Sequence, residues 1–174
     1  MIARKAAAFE KQGEYDQALD QYRIALLEDN AVAIKDAKRR CEKVGKEAAA
    51  KAYLDPELAE KHKDAGNELF KAGTFPAALK EFDEGLRRDP KNKACYSNRA
   101  ACYLKLLDPV SALRDADKAI SMDAKFVRAW ARKGTAHQMM KEYHKAMDAY
   151  NKGLAIDGES TECKQGLEKT VQLI

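Results

Sequence analysis

The chain has 174 residues, of which 34% are charged and 45% are apolar, and its net charge is +4. Acidic and basic residues are interspersed along the chain without an aromatic–basic stripe, which argues against nucleic-acid binding. No apolar run approaches the roughly 18 residues of a membrane-spanning helix. With only 4 Pro and 9 Gly, the sequence favours helices over tightly turning strands.

The first part of the chain, residues 1–30, has the pattern of two short helices joined by a turn at residues 9–18. The run from 31 to 52 is rich in Ala, Lys and Glu, which predicts a separate helix that caps the preceding pair and acts as a fairly stiff spacer. This helix should end before Pro56, because the residue preceding a proline avoids the helical conformation.

Seven further helices are predicted downstream. The first six form three pairs, and the seventh has a more polar outer face, as the end of a helical solenoid requires. Gly73 and Pro109 lie at turns within pairs, and Pro109 suits the first turn of a helix. The predicted ranges are 56–71, 75–88, 93–106, 109–122, 127–140, 143–156 and 159–173.

Small and aromatic residues recur in this region with a 34-residue period, which is the length of a tetratricopeptide repeat (TPR). Small side chains let paired helices approach closely, and Phe82 and Tyr150 are predicted to fill the groove between repeats. Ala18, Tyr22 and Ala25 occupy matching positions near the start of the chain. The aligned sets are Gly66, Ala100 and Gly134; Ala78, Ala112 and Ala146; Phe82, Ala116 and Tyr150; and Gly85, Ala119 and Gly153.

The period predicts an all-α fold, a right-handed TPR superhelix of helix–turn–helix repeats with a helical linker and a C-terminal capping helix. Residues 1–30 are interpreted as the last repeat of an upstream TPR domain. Residues 31–55 form the capping or linker helix. Residues 56–174 form a three-repeat domain with its own cap.

Neither the cysteines nor the histidines indicate a metal-binding or catalytic site. The four cysteines are far apart, and no zinc-ligand spacing or other metal site is recognisable. Cys95 and Cys102 are interpreted as core residues, His137 as a core residue and His144 as a helix start. No phosphate-binding loop or nucleophile motif is present either. We therefore expect no enzyme activity and no cofactor, and the cysteine usage fits the reducing cytoplasm.

The first helix of each TPR faces the concave groove, so a ligand should contact these helices. A lone Lys or Arg on a helix is usually solvated. Asn in a helix interior is less common, because it favours caps and turns. Together, inward cations and amides would hold the backbone and carboxylate of a peptide. The residues on these faces are Lys63, Asn67, Phe70, Asn98, Ala101, Arg128 and Arg132.

Two segments, Ala-Gly-Asn-Glu-Leu-Phe at 65–70 and Tyr-Ser-Asn-Arg-Ala-Ala-Cys-Tyr at 96–103, resemble the carboxylate-clamp TPR domains of heat-shock co-chaperones. The segment at 52–59 is similar to the join between the second and third TPR domains of heat-shock organising members of this family. The resemblance covers essentially the whole chain.

The resemblance implies a clamp for the C-terminal Glu-Glu-Val-Asp of cytosolic heat-shock chaperones. It assigns the clamp to Lys63, Asn67, Asn98, Arg128 and Arg132, with Phe70 and Ala101 against the Val of the tail. Arg128 stands where many family members have Lys, which keeps the charge but changes the geometry. Arg4 would be the last clamp residue of the truncated upstream domain.

The resemblance therefore implies a monomeric, cytoplasmic co-chaperone adaptor of the stress response. The gain from charged hydrogen bonds, set against the cost of ordering the tail, predicts roughly micromolar affinity. The tail of the seventy-kilodalton chaperone is favoured over that of the ninety-kilodalton one. The alternative is a clamp-independent TPR scaffold that binds another peptide or protein. Substituting Lys63 or Arg132 by Ala separates the two interpretations, because only a clamp depends on these charges. No contact with nucleic acid or membrane is expected.

Overall fold

The structure, a computed structural model, describes residues 2–28 and 31–174, without the side chain of Glu28. All secondary structure in these ranges is α-helical, which confirms the predicted fold class. The predicted boundary between the upstream repeat (1–30) and the linker helix (31–55) falls next to residues 29 and 30, which lie outside the described residues. The helices are α1 (Ile2–Gln12), α2 (Tyr15–Glu28), α3 (Val32–Tyr53), α4 (Pro56–Lys71), α5 (Phe75–Arg88), α6 (Lys93–Lys105), α7 (Pro109–Met122), α8 (Val127–Met139), α9 (Tyr143–Ile156) and α10 (Thr161–Val171).

The chain divides into two compact units, Met1–Leu54 and Asp55–Ile174. In the first unit, the core consists of Ala6, Ala18, Tyr22 and Cys41. Cys41 belongs to α3. The Ala-, Lys- and Glu-rich helix therefore packs against the front helix pair.

The second unit contains three helix pairs followed by α10, and every aligned small or aromatic position in it is buried. The ring of Phe82 lies against Gly66 of its own repeat, where a Cβ atom would come within 2.7 Å of the ring. Tyr150 lies in the same way against Gly134 and is also covered by Gly166 of α10. Each ring therefore fills the space opened by a glycine within its own repeat, a contact that the sequence-based prediction did not include.

Each helix pair turns at a residue with a left-handed backbone. Gly13 and Gly73 have φ of 79° and 76°, and Leu107 and Lys141 adopt φ of 60° and 61° at the corresponding step of later repeats. At the first turn of the second unit, the Gly73 N–H donates to the Phe70 carbonyl (3.0 Å) and the Thr74 N–H to the Leu69 carbonyl (3.0 Å). These bonds satisfy carbonyls that the helix end leaves free.

The second repeat has Ala116 at the Phe82 position, and a largely buried ion pair joins its helices to the preceding repeat. Arg99 donates from Nε and Nη2 to the two carboxylate oxygens of Asp115 (2.7 and 2.8 Å) and from Nη1 to Asp83 (2.6 Å). Burial opposes the charge of Arg99, but the two carboxylates outweigh that effect and raise its pKa. Since Asp83 belongs to α5 and Asp115 to α7, the guanidinium of α6 joins three helices.

Within residues 2–28 and 31–174, no helix combines the length and the apolar character that crossing a lipid bilayer demands.

Substitution of Gly73 by Ala tests the left-handed turn. A Cβ atom on Gly73 would meet nothing within 4 Å, so the cost is conformational alone. We expect chemical denaturation to show a loss of about 1 kcal/mol in the free energy of unfolding. Gly158→Ala is the matched control, because its Cβ would make only an ordinary contact and its backbone is not left-handed. Equal losses in both variants would contradict the assignment.

The two aspartates that share Arg99 differ in burial, and this allows a second test. Asp115 is 1% exposed, whereas the side chain of Asp83 is 50% exposed. Asp115→Ala leaves a buried cation short of its main partner and should cost about 3 kcal/mol of unfolding free energy. Asp83→Ala should cost less than about 1 kcal/mol, because solvent replaces the lost carboxylate. If Asp83→Ala lost more unfolding free energy than Asp115→Ala, Asp115 would not be the main partner of Arg99.

Candidate ligand-binding groove

The first helices of the three repeats line a common groove with a volume of about 640 Å³. Helix α4 contributes most of the lining, and α6 and α8 contribute one residue each. The lining residues are Asp64, Ala65, Asn67, Glu68, Phe70, Lys71, Asn98 and Arg128. Of the seven residues predicted from the sequence, the structure brings together four in this lining, namely Asn67, Phe70, Asn98 and Arg128.

Two asparagines form the polar centre of the groove. Asn98 Nδ2 donates a hydrogen bond of 2.7 Å to Asn67 Oδ1, joining α6 to α4. This bond engages the acceptor of Asn67 and leaves its Nδ2 group, with two N–H donors, available to a ligand. Both residues lie inside helices, where their side chains are rarely favoured by propensity. The pair therefore presents amide donors with a defined orientation.

Lys63 lies on α4 and is held by neighbouring carboxylates. Its Nζ is hydrogen-bonded to Glu60 and lies 3.7 Å from Asp64. Asn92 donates to the other oxygen of Glu60 (2.7 Å) and accepts from the Cys95 N–H (3.0 Å) to cap α6. The hydrogen bond that Lys63 donates to Glu60 raises the pKa of Lys63, and the bonds from Lys63 and Asn92 lower the pKa of Glu60. Lys63 is therefore a fixed cation with further N–H donors.

Arg132, on α8, is directed toward Glu162 of α10. Its Nη1 and Nη2 atoms each lie 3.4 Å from one oxygen of the Glu162 carboxylate. Its Nε is buried and has no hydrogen-bond partner among the described residues. Arg132 is thus a cation whose hydrogen-bonding capacity is only partly used.

Arg128 is exposed and lines the groove. Its guanidinium lies 5.5 Å from the centroid of the Phe126 ring, an arrangement of cation–π type. Lys93 lies 5.4 Å from the same centroid. No carboxylate lies within ion-pair distance of Arg128 in the described part of the chain. Its charge therefore remains available to an acidic ligand.

The predicted apolar contacts differ in their surroundings. Phe70 is half-buried, packs against the core of its repeat and meets the ring of Phe75 edge-on, with centroids 5.3 Å apart. Ala101 is half-buried on α6 but is not part of the groove lining. Arg4 lies exposed on α1 in the first unit. The roles of Ala101 and Arg4 in binding stay predictions.

The four cysteines and His137 are buried in the described part of the chain. No cluster of His, Cys, Asp and Glu suited to a metal occurs among the described residues. The four cysteines are buried, as interpreted for Cys95 and Cys102, and burial raises the pKa of each of these two thiols to about 12. His137 is buried, as predicted, and its Nδ1 is 2.6 Å from Glu142.

Sequence reasoning missed the residues that hold the cations. Glu60 precedes Lys63 by three positions on one helix, a spacing that was available as a signal. Glu162 lies one 34-residue period after Arg128 and three periods after Glu60, so these acids occupy equivalent repeat positions. Asn92 and Phe126 carry no such signal, because their contacts depend on how successive repeats stack.

The lowered pKa of Glu60 leads to a prediction about acid stability. A carboxylate with a depressed folded pKa stabilises the fold above its unfolded pKa, about 4.3, and this contribution disappears as the pH falls through the folded value. The difference in unfolding free energy between the parent chain and Glu60→Gln should be largest near neutral pH and should vanish in acid. Urea titrations across this range measure it, with exposed Glu168→Gln as the control, and a difference that grows toward acid would contradict the assignment.

No family model matches the chain. It is 37% identical over 177 residues to a Hsp70–Hsp90 organizing protein of Triticum aestivum, a match that covers 99% of this chain and 30% of that relative. The chain therefore spans less than a third of the length of this relative.

The solved structures that are similar to the chain include two from yeast Sti1. One is described as the TPR2AB-domain:pHSP90-complex of yeast Sti1, with a TM-score of 0.80 and 35% identity, covering 98% of this chain and 69% of that one. The other is described as the TPR2B-domain:pHsp70-complex of yeast Sti1, with a TM-score of 0.64 and 35% identity, covering 68% of this chain and 99% of that one.

Proposed function

We propose that this chain, which belongs to the Hsp70–Hsp90 organizing protein family, is a co-chaperone adaptor. Its proposed ligand is the C-terminal Glu-Glu-Val-Asp tail of a heat-shock chaperone. The observation that carries the proposal is the groove itself. It combines a hydrogen-bonded pair of asparagines with an exposed arginine that has no carboxylate partner among the described residues. This is a donor-rich surface suited to an anionic chain end.

The chemistry of the tail matches these donors. A terminal Asp has two carboxylates, and we assign their recognition to Lys63, Asn67, Asn98 and Arg132. Hydrogen bonds to charged groups contribute about 1.5–3 kcal/mol each, whereas ordering a flexible segment costs on the order of 2–5 kcal/mol. The balance corresponds to roughly micromolar affinity.

The remaining contacts are assigned to side chains on the same helix faces. Arg128 would reach the side-chain carboxylate of the terminal Asp or an upstream Glu. Phe70 and Ala101 would contact the Val. Phe70 supports this role because it is half-buried against its own core and still lines the groove.

We assign the Hsp70 tail as the preferred partner over the Hsp90 tail. The support is the coverage: the chain spans 99% of the yeast Sti1 TPR2B domain in its pHsp70 complex, but 69% of the TPR2AB chain in the pHSP90 complex. The proposed protein is a non-catalytic, monomeric adaptor in the cytoplasm, and its four free thiols suit a reducing compartment. The proposal includes no cofactor.

A clamp-independent scaffold is the second candidate, and one observation favours it. Lys63 and Arg132 are already paired with acids of the chain, so part of the predicted clamp charge is neutralised internally. In that case the concave face would bind a peptide without recognising its free carboxylate.

Calorimetric titration of the chain with peptides ending in Glu-Glu-Val-Asp, each with a free or amidated C-terminus, tests the proposal. Lys63→Ala should weaken binding of the free-acid peptide by about tenfold or more, because it removes a charged hydrogen bond. The matched control is Lys61→Ala, which removes an exposed lysine two positions away on α4 and should leave the affinity unchanged. Equal binding of the free and amidated peptides would favour the scaffold instead.

A further inference from the structure

Arg132 is the only cation among the proposed clamp residues that is paired with the helix following the last repeat. Both Nη atoms face the Glu162 carboxylate at 3.4 Å, and the two side chains are 25% and 49% exposed. A ligand carboxylate assigned to Arg132 therefore meets a resident carboxylate of the same chemistry.

The geometry is that of a loose pair. Charge-assisted N–H···O bonds are usually about 2.7–2.9 Å long. The same chain forms such a pair between Arg99 and Asp115, at 2.7 and 2.8 Å with the carboxylate buried. The pair of Arg132 and Glu162 is longer and more exposed, and it leaves Nε without a hydrogen-bond partner in the described chain. Little free energy therefore opposes exchange of Glu162 for a better-placed carboxylate.

The negative charge of Glu162 is stabilised by other groups besides Arg132. It lies in the first turn of α10, where the helix dipole and solvent both favour a negative charge. It can therefore give up the guanidinium at small cost. Glu60 differs, because Lys63 and Asn92 hold both of its oxygens and it acts as a support for Lys63.

The repeat pattern also places opposite charges at equivalent positions near the groove. Glu162 occupies the position that Arg128 occupies one period earlier, so one repeat position places a cation in the groove and the next places an anion beside Arg132. An acidic tail is attracted by the first and repelled by the second at distances shorter than the Debye length. Glu162 also faces the Nη atoms that a ligand carboxylate would use, so its effect is centred on Arg132.

We propose that Glu162 is an affinity-determining residue of the groove that competes with the ligand's carboxylate for Arg132. This inference rests on the proposed function. It assigns to α10 a role in binding in addition to covering the last repeat.

The experiment compares the chain with Glu162→Gln by calorimetry, using a free-acid octapeptide that ends in Glu-Glu-Val-Asp. Exposed ion pairs correspond to about 1.4- to 5-fold in an equilibrium constant, so Glu162→Gln should bind the peptide about 2- to 5-fold more tightly at low salt. The gain should shrink as salt is added. Glu159→Gln is the control. Glu159 lies three residues before Glu162, and its exposed carboxylate pairs with Lys164 instead of Arg132, so the variant removes the same charge without affecting the Arg132 pair.

Each outcome decides the inference. A gain in Glu162→Gln that is absent in Glu159→Gln supports competition for Arg132. Unchanged or weaker binding in Glu162→Gln overturns it while leaving the proposed function intact, provided that the parent chain binds. An equal gain in both variants also overturns it, because net charge alone would explain the effect. If neither the parent chain nor Glu162→Gln binds the peptide, both the inference and the proposed function are wrong.

Discussion

The close approach of paired helices at glycine and alanine is the constraint on which the second unit depends. Where Gly66 faces Phe82 and Gly134 faces Tyr150, any Cβ atom would overlap the ring. Protein interiors are packed to near-crystalline density, so such a ring and its glycine act as one fitted element. The separation of the two helices in a repeat is set there, and so is the face that the first helix turns toward the groove.

The helix starts keep these faces in register from one repeat to the next. Asp55, Asn92 and Asp108 each accept a backbone N–H in the first turn of the helix that follows. Asn92 has a second role, because it also holds Glu60, which holds Lys63. The same side chain thus caps α6 and helps to position a cation of α4, which links the stacking of repeats to the electrostatics of the groove.

The charges of the second unit fall into two kinds of ion pair. The Arg99 network is short, is shared among three helices and includes the buried carboxylate of Asp115, and it supports the fold. The pair of Arg132 and Glu162 is long and partly exposed. An exposed pair contributes little to stability, whereas breaking a buried one is costly. A groove that must exchange an internal carboxylate for an external one can use only the second kind.

The order of the helices, their approximate bounds and the buried small positions followed from the sequence alone, because the 34-residue period and the positions of Gly and Pro are local properties of the chain. The candidate groove residues Asn67, Phe70, Asn98 and Arg128 could be placed in advance for the same reason, since helical spacing assigns them to one face of each first helix.

Only the tertiary structure decided how the polar groups pair. The bond between Asn98 and Asn67, the Arg99 network and the approach of Glu162 to Arg132 each join residues 16 to 31 positions apart. Such pairings depend on side-chain direction and on the stacking of neighbouring helices, which differ within the same repeat pattern. Periodicity therefore determined which faces meet, and packing determined which charges are compensated and which stay available.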